Sequence, residues 1–328
     1  MIRADIADFI VDERIEMDDD GGGEHLWVRV RKSGENTDHV ASLLARAAAI
    51  RVRDVGYAGR KDRHAITTQW FSLWLPGRAD PCFDGLPPSV WVLEMRRRRR
   101  KLVVGGLRAN RFRITVRDFS GDQALLDRRL AGLAAHGAPN YFGAQRFGRD
   151  ADNLVLAREW FAGTRRIADR KLRGMLLSAA RAAIFNAVLG ERVVAASWCN
   201  ALPGDLLIFD RRGGHFPAPE IDAVLEARVR AGELHPSGPL WGAGESPANG
   251  AVAALEQAVA GRFPELAAGL GRAGLRQERR ALRVMPHELV WQWLDETTVV
   301  LSFDLPPGCY ATTLLQEVLE WRDGTRID

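Results

Sequence analysis

The sequence predicts an α+β chain in which one strand-based domain is interrupted by a helix-rich inserted domain. Three observations carry this: strand patterns fill the first third, helical patterns fill residues 151–282, and strand patterns return near the end. The chain has 328 residues, 46% of them hydrophobic and 27% charged, enough to bury a sizeable core and outside the range of disordered or fibrous chains.

The strands come first. His25-Leu26-Trp27-Val28-Arg29-Val30-Arg31 and Arg111-Phe112-Arg113-Ile114-Thr115-Val116-Arg117 alternate apolar and polar residues at period two, as half-buried strands with a basic outer face do. Residues 67–75 and 90–95 add two strands, and a helix is predicted over 38–50 behind an Asn36-Thr37 cap signal. A second helix fits 122–136, stopped by Gly137. In the middle, Ala-, Leu- and Arg-rich helical patterns occupy 170–192, 218–231 and 251–262. Strands are expected again at 289–293 and 297–303, then a Leu305-Pro306-Pro307-Gly308 turn and a closing helix over 311–322.

Composition limits the function classes. Cys82, Cys199 and Cys309 are far apart and form no CxxC or Cys/His cluster, so neither a disulfide framework nor a zinc site is expected. No run has the apolar length expected of a membrane span, and the acid-dotted first twenty residues fit no secretory or transit peptide, so a cytoplasmic chain is expected. The net charge, 46 Lys+Arg against 42 Asp+Glu, is +4 and permits a polyanionic partner.

The densest chemical cluster is Gly56-Tyr57-Ala58-Gly59-Arg60-Lys61-Asp62-Arg63-His64, leading into Thr67-Thr68-Gln69-Trp70. One carboxylate stands among four cationic or titratable neighbours, which would keep it ionised for work as a nucleophile or base and would gather a phosphate backbone. The bland alternative is a surface turn of mutually neutralising charges, which Tyr57 and the Thr and Gln donors argue against. The run Arg96-Arg97-Arg98-Arg99-Arg100-Lys101 needs solvation or an anion, and a nucleic acid is the natural anion. Asn110 offers a donor and an acceptor that match a uracil edge, and Phe112 either stacks on an unstacked base or is the first inward residue of its strand.

Two motifs are set aside. Gly269-Leu270-Gly271-Arg272-Ala273-Gly274 matches a dinucleotide fingerprint but follows a helical stretch, not a buried strand. Asp18-Asp19-Asp20-Gly21-Gly22-Gly23-Glu24-His25 lacks calcium-loop spacing and reads as a hairpin tip.

At Gly59-Arg60-Lys61-Asp62-Arg63-His64-Ala65-Ile66-Thr67-Thr68-Gln69 the chain resembles the TruD family of RNA pseudouridine synthases, whose central motif is GxKDxxAxTxQ. Further segments fit in order: Asp8-Phe9, Asn110-Arg111-Phe112, the Pro139 to Gly148 block PNYFGAQRFG, Ser178-Ala179-Ala180-Arg181 with Phe185-Asn186, and Leu305-Pro306-Pro307-Gly308-Cys309-Tyr310-Ala311-Thr312. The resemblance covers essentially the whole chain. It implies a pseudouridine-synthase fold with a mixed or antiparallel sheet over residues 1–136 plus 285–328, and a family insertion over 137–284.

Carried over by position, the resemblance implies Asp62 as the catalytic aspartate and Phe9, Asn110, Phe112 and Tyr310 as the lining of the uridine pocket. Arg3, Lys61, Arg96, Arg97, Arg98, Arg99, Arg100, Lys101 and Arg146 are the candidates for RNA contact. The implied reaction isomerises uridine 13 in the D arm of tRNA, with no cofactor, no metal and no obligate protein partner. The alternatives are a synthase acting on another RNA and, from other classes, a noncatalytic RNA-binding or RNA-folding protein on the same fold and a nucleoside or glycoside hydrolase, which would need a second carboxylate absent from these motifs.

Overall fold

The computed structural model describes residues 1–16, 21–210 and 213–325. Of the predicted hairpin tip, Asp18, Asp19 and Asp20 lie outside the described residues. The chain divides into two compact units, one made of Met1–Leu126, Pro286–Gly308 and Leu319–Asp328, the other of Asp127–Met285 and Cys309–Val318.

The first unit is built on a sheet of eight strands among the described residues. Its early members are β1 (Phe9–Arg14), β2 (His25–Ser33), β3 (Val55–Tyr57), β4 (Ile66–Trp74), β5 (Val90–Arg98) and β6 (Ala109–Val116), with helix α1 (Thr37–Ala47) between β2 and β3. Two late strands, β13 (His287–Trp293) and β14 (Val299–Leu305), complete the order β13-β14-β6-β1-β4-β2-β5, and β3 pairs with β4. The β1–β4 pair is parallel and the other pairs are antiparallel, so the sheet is mixed. Leu26, Val28 and Val30 of β2 and Phe71 and Leu73 of β4 bury one face under Val40, Ala41, Leu44 and Ala45 of α1. That amphipathic pairing of helix and strand stripes is what the period-two and period-3.6 patterns encode.

Of this sheet's strands, sequence patterning missed the short β3 and the central β1. The six residues of β1, FIVDER, are apolar only in the first half, yet Glu13 turns inward and is 4% exposed. A buried carboxylate breaks the alternation that a strand reading relies on.

The second unit holds α2 (Gln123–His136), whose first turn belongs to the first unit, β7 (Ala138–Pro139), α3 (Asp152–Phe161), α4 (Arg170–Val194), β8 (Asp205–Phe209), β9 (His215–Ala218), α5 (Ala223–Arg230), β10 (Leu234–Leu240), α6 (Gly250–Gly261), α7 (Pro264–Arg272), β11 (Glu278–Ala281), β12 (Arg283–Val284) and α8 (Ala311–Gln316). A four-stranded antiparallel sheet runs β11-β10-β8-β9, and β12 pairs with β7. Helix α4 is long and apolar enough to cross a membrane, contrary to the expectation that no run reaches that length. Its Leu176, Ala180 and Ile184 instead pack with Ala157 of α3, Ala260 of α6 and Leu266 and Leu270 of α7, as a core helix does. The GxGxxG match falls on α7 and the turn after it.

Two bounds differ from the expected ones. The second unit starts at Asp127, not Gly137, and takes in Cys309–Val318 with Tyr310. The ties are local: Arg129 donates to the Val318 carbonyl at 3.0 Å, and Arg146 donates to the Tyr310 hydroxyl at 2.7 Å. Helix α8 ends at Gln316, short of the predicted 322, as Glu317 and Val318 tighten into i→i+3 bonds to Leu314 and Leu315.

Candidate active site

The Asp62 loop joins β3 to β4. Gly56 lets it begin close to the chain: a Cβ there would overlap the Leu102 carbonyl oxygen. Gly59 has no such constraint, and its carbonyl accepts from Gln69 at 3.1 Å. Thr37, expected to help cap α1, spends its hydroxyl on the loop, accepting from the Lys61 amide at 2.9 Å and donating to the Gln69 side chain at 3.0 Å. Two polar side chains, Thr37 and Gln69, therefore hold the backbone at Gly59 and Lys61, just before Asp62.

The cations next to Asp62 in sequence do not serve its carboxylate, which corrects the expectation drawn from their proximity. Arg60 pairs with Asp38 at 2.9 Å, Arg63 reaches the Gly34 carbonyl at 3.4 Å, and Lys61 turns inward to Glu13 at 2.8 Å. The Lys61 and Glu13 side chains are 5% and 0% exposed, so Lys61 is a buried structural ion and not an outward RNA contact. Glu13 also accepts from the Trp70 amide at 3.0 Å, tying loop, β1 and β4 together.

Among the described residues, the cation that reaches the half-exposed Asp62 carboxylate is Arg3, at 3.4 Å. Arg3 sits in the left-handed region at φ 56°, a conformation disfavoured for a residue with a long side chain. It is held there by Asp323 at 3.0 Å and by the Ile2 amide, which donates to the Arg322 carbonyl. Its guanidinium lies 4.1 Å from the Phe9 ring centroid, a cation–π contact.

Beneath it, the Phe9 and Phe112 rings meet edge to face at 6.1 Å, and Phe112 stacks on Phe303 at 5.5 Å. Phe9 is 1% and Phe112 6% exposed, so both form an aromatic floor and neither presents an open stacking face. Asn110, two residues before Phe112 on β6, has a buried amide oxygen without a hydrogen-bond partner among the described groups. Such an acceptor is costly to leave unmet and is suited to a ligand N–H. Next to it Arg111 bonds Asp304 at 2.6 Å and also Glu288, which raises its already high pKa and locks β6 to β14 and β13.

Tyr310 and Arg146 belong to the second unit. Arg146 bonds the Tyr310 hydroxyl and, at 3.0 Å, the Ser178 hydroxyl, and lies 5.3 Å from the Phe142 ring. Asn186 clamps Phe142 from both sides, accepting from its amide and donating to its carbonyl at 2.9 Å each, so the PNYFGAQRFG block and the Phe185-Asn186 segment meet.

The arginine run divides. Arg97 bonds Asp80 and the Leu75 and Arg78 carbonyls, and Arg98 is buried against the Trp27 ring at 5.4 Å. Lys101 donates to the Arg53 carbonyl at 2.8 Å, while Arg96, Arg99 and Arg100 are exposed. No group of side chains able to hold a metal ion occurs among the described residues.

The first unit thus carries, on its mixed sheet, a loop with a half-exposed aspartate beside an aromatic floor. The comparisons with known proteins specify the family. The family model described as tRNA pseudouridine synthase D (TruD) matches residues 1–160 and 151–318. A tRNA pseudouridine synthase D of Nitrosococcus oceani is 48% identical over 326 residues, covering 98% of this chain and 91% of its own. That of Xanthomonas campestris pv. campestris is 46% identical over 340 residues, covering 99% and 93%. A TruD crystal structure from Methanosarcina mazei matches in fold, with a TM-score of 0.71 at 22% identity over 98% of this chain and 94% of that one. The chain belongs to the tRNA pseudouridine synthase D (TruD) family.

Proposed function

We propose that this chain converts uridine to pseudouridine in transfer RNA, at uridine 13 of the D arm, with Asp62 as the reacting carboxylate and no cofactor. The observation that carries this reading is the half-exposed Asp62 carboxylate, paired with Arg3 at the edge of the Phe9–Phe112 floor. The reaction breaks the bond from uracil N1 to ribose C1′ and makes one from C5 to C1′; C5 loses a proton and N1 gains one, so neither an oxidant nor an energy donor is needed. Asp62 either attacks C1′ as a nucleophile, as a retaining glycosidase does, or removes the 2′ proton to give a glycal.

This chain's residues supply orientation. Arg3 steers the carboxylate by a charge-assisted bond, and the amide of Asn110 pairs with the uracil edge that must be held while the base turns. Phe9 and Phe112 support that base from below, and Tyr310 is proposed as a further uridine contact. Flipping the target nucleotide out of its stack costs a few kcal/mol, which contacts from exposed arginines to the flanking phosphates offset.

The test is to incubate an unmodified tRNA transcript with the wild-type protein and with Asp62→Asn, then map pseudouridine by carbodiimide modification and reverse-transcription stops. A stop adjacent to uridine 13 with the wild type alone is expected. Free uracil released into solution would point to a hydrolase, and a wild type that binds tRNA without a stop would sink the assigned reaction on this RNA.

A further inference from the structure

Lys32 stands out as a charge where the fold calls for an aliphatic residue. Alternate residues of β2, Leu26, Val28 and Val30, are fully buried on the face covered by α1, and Lys32 is the next residue on that face, also 0% exposed. Opposite it in the register are Thr67, then Gln69 opposite Val30, Phe71 opposite Val28 and Leu73 opposite Leu26. One face of the sheet thus changes from aliphatic to polar where the Asp62 loop crosses its end. Burying an ammonium there costs several kcal/mol unless its protons find partners.

Its partners are two backbone carbonyls. The Lys32 Nζ donates to the Glu35 carbonyl at 2.7 Å and to the Asp62 carbonyl at 2.9 Å. Neither bond is to a carboxylate, so the charge is not spent on an ion pair of its own. The two carbonyls belong to separate segments, the turn after β2 and the Asp62 loop, and the ammonium draws them to one point. Charge-assisted bonds of this kind are about twice as strong as neutral ones.

We propose that Lys32 is the positioning residue for Asp62: from within the sheet it grips the aspartate's own carbonyl, fixing the loop so that the side chain above faces Arg3. The inference deepens the proposed reaction and rests on it, since it assigns what orients the reacting carboxylate. Lys32 is sealed from solvent and touches no RNA, so its contribution belongs in the rate of the bound complex and not in affinity. Burial is the main cause that lowers its pKa to about 8; the facing charges are Asp62 and Glu35, which raise it, and Lys61, which lowers it. Around this group Glu35 also receives a bond from Ser89 and lies 3.8 Å from His39, while Arg63 bonds the adjacent Gly34 carbonyl. As Lys32 loses its proton the two bonds weaken, so turnover acquires an alkaline limb.

The experiment is single-turnover pseudouridine formation at saturating tRNA transcript from about pH 6.5 to 9.5, alongside tRNA affinity, for the wild type and Lys32→Met, which keeps length and removes charge. The variant's rate is expected to fall on the order of tenfold to a hundredfold at pH 7, the scale of a displaced reacting group, with Kd unchanged. The wild-type rate should decline through about pH 8, and the variant should lack that limb. Titration of the uridine itself affects both proteins alike and cancels in the comparison. Equal rates, or the same alkaline limb in both proteins, overturn the inference. Should Lys32→Met not fold, the wild type decides alone: a rate that stays level through pH 8, with its circular dichroism unchanged, overturns it. If the wild type forms no pseudouridine, the proposed reaction fails, and amide exchange of residues 59–66 then decides the clamp, expected faster in Lys32→Met and overturned by equal exchange.

Discussion

Two cation-rich segments of the first unit look alike in sequence, and the fold treats them differently. In the loop around Asp62, Arg60, Lys61 and Arg63 each leave the aspartate for another partner, and the ion pair on its carboxylate comes from Arg3, 59 residues away. In the run from Arg96 to Lys101, Arg97 is tied to Asp80 and to the Leu75 and Arg78 carbonyls and Arg98 is buried against Trp27, while Arg96, paired with Glu94, and Arg99 and Arg100, past the end of β5, are exposed. Sequence proximity of charges therefore says that a segment is polar and says little about which charge meets which. The path of the loop and the neighbours that the fold brings up decide that, and both are set by residues outside the segment.

The contrast is tested hardest at Asp62. Asp62→Asn should reduce single-turnover pseudouridine formation by at least about a thousandfold while tRNA affinity holds, because the change removes the proposed reacting group and leaves the backbone bonds that hold the loop. Equal loss of affinity would mean that the carboxylate serves binding. Next in size is Lys61→Met. It leaves Glu13 buried without its ion partner, a change that typically costs about 3–5 kcal/mol, read as a lower urea midpoint at constant m-value. If stability held and only tRNA affinity fell, Lys61 would be the RNA contact that its position in the motif implies.

Lys32 adds a pH dependence to the same loop. Its folded-state pKa of about 8 lies below the ordinary 10.5, so the unfolded chain binds more protons between those values and stability rises with pH there. Below pH 8 the burial penalty is present in full, and above about 10.5 it is gone. Relative to Lys32→Met, the wild type should gain up to about 3 kcal/mol across this window, measured by urea unfolding at each pH. A stability difference that stays constant would mean that Lys32 titrates alike in both states.

Much of this fold is legible in the amino-acid sequence. The period-two stripes of β2 and β6 and the 3.6-residue stripe of α1 are readable because each buries one face only. The aspartate motif, Asn110 and the aromatic pair are readable as residue types. The groups that hold the site are not, for physical reasons. Glu13 and Lys32 are charges at core positions, and a hydropathy pattern counts such residues as surface; the available signal for Lys32 is its parity with Leu26, Val28 and Val30. Arg3 meets Asp62 through a left-handed residue anchored by Asp323, contacts that no local pattern contains. Strand β10, LHPSGPL, hides two prolines and a glycine within a sheet, the residues that usually argue against a strand.

The smallest expected effects separate the two halves of the arginine run. Replacing the exposed Arg96, Arg99 and Arg100 together by Ser should leave unfolding free energy within about 0.5 kcal/mol of wild type, as surface changes do. If these side chains meet the RNA backbone, tRNA binding weakens and the slope of log Kd against log salt falls by about 0.7–0.9 for each phosphate no longer neutralised. Arg97→Ala should do the reverse. It strips bonds from Asp80 and from the Leu75 and Arg78 carbonyls, costing about 1–2 kcal/mol of stability, and leaves the salt slope unchanged. A salt slope that drops for Arg97→Ala and not for the triple variant would invert the assignment, making the side chain bound into the sheet the one that the RNA draws out.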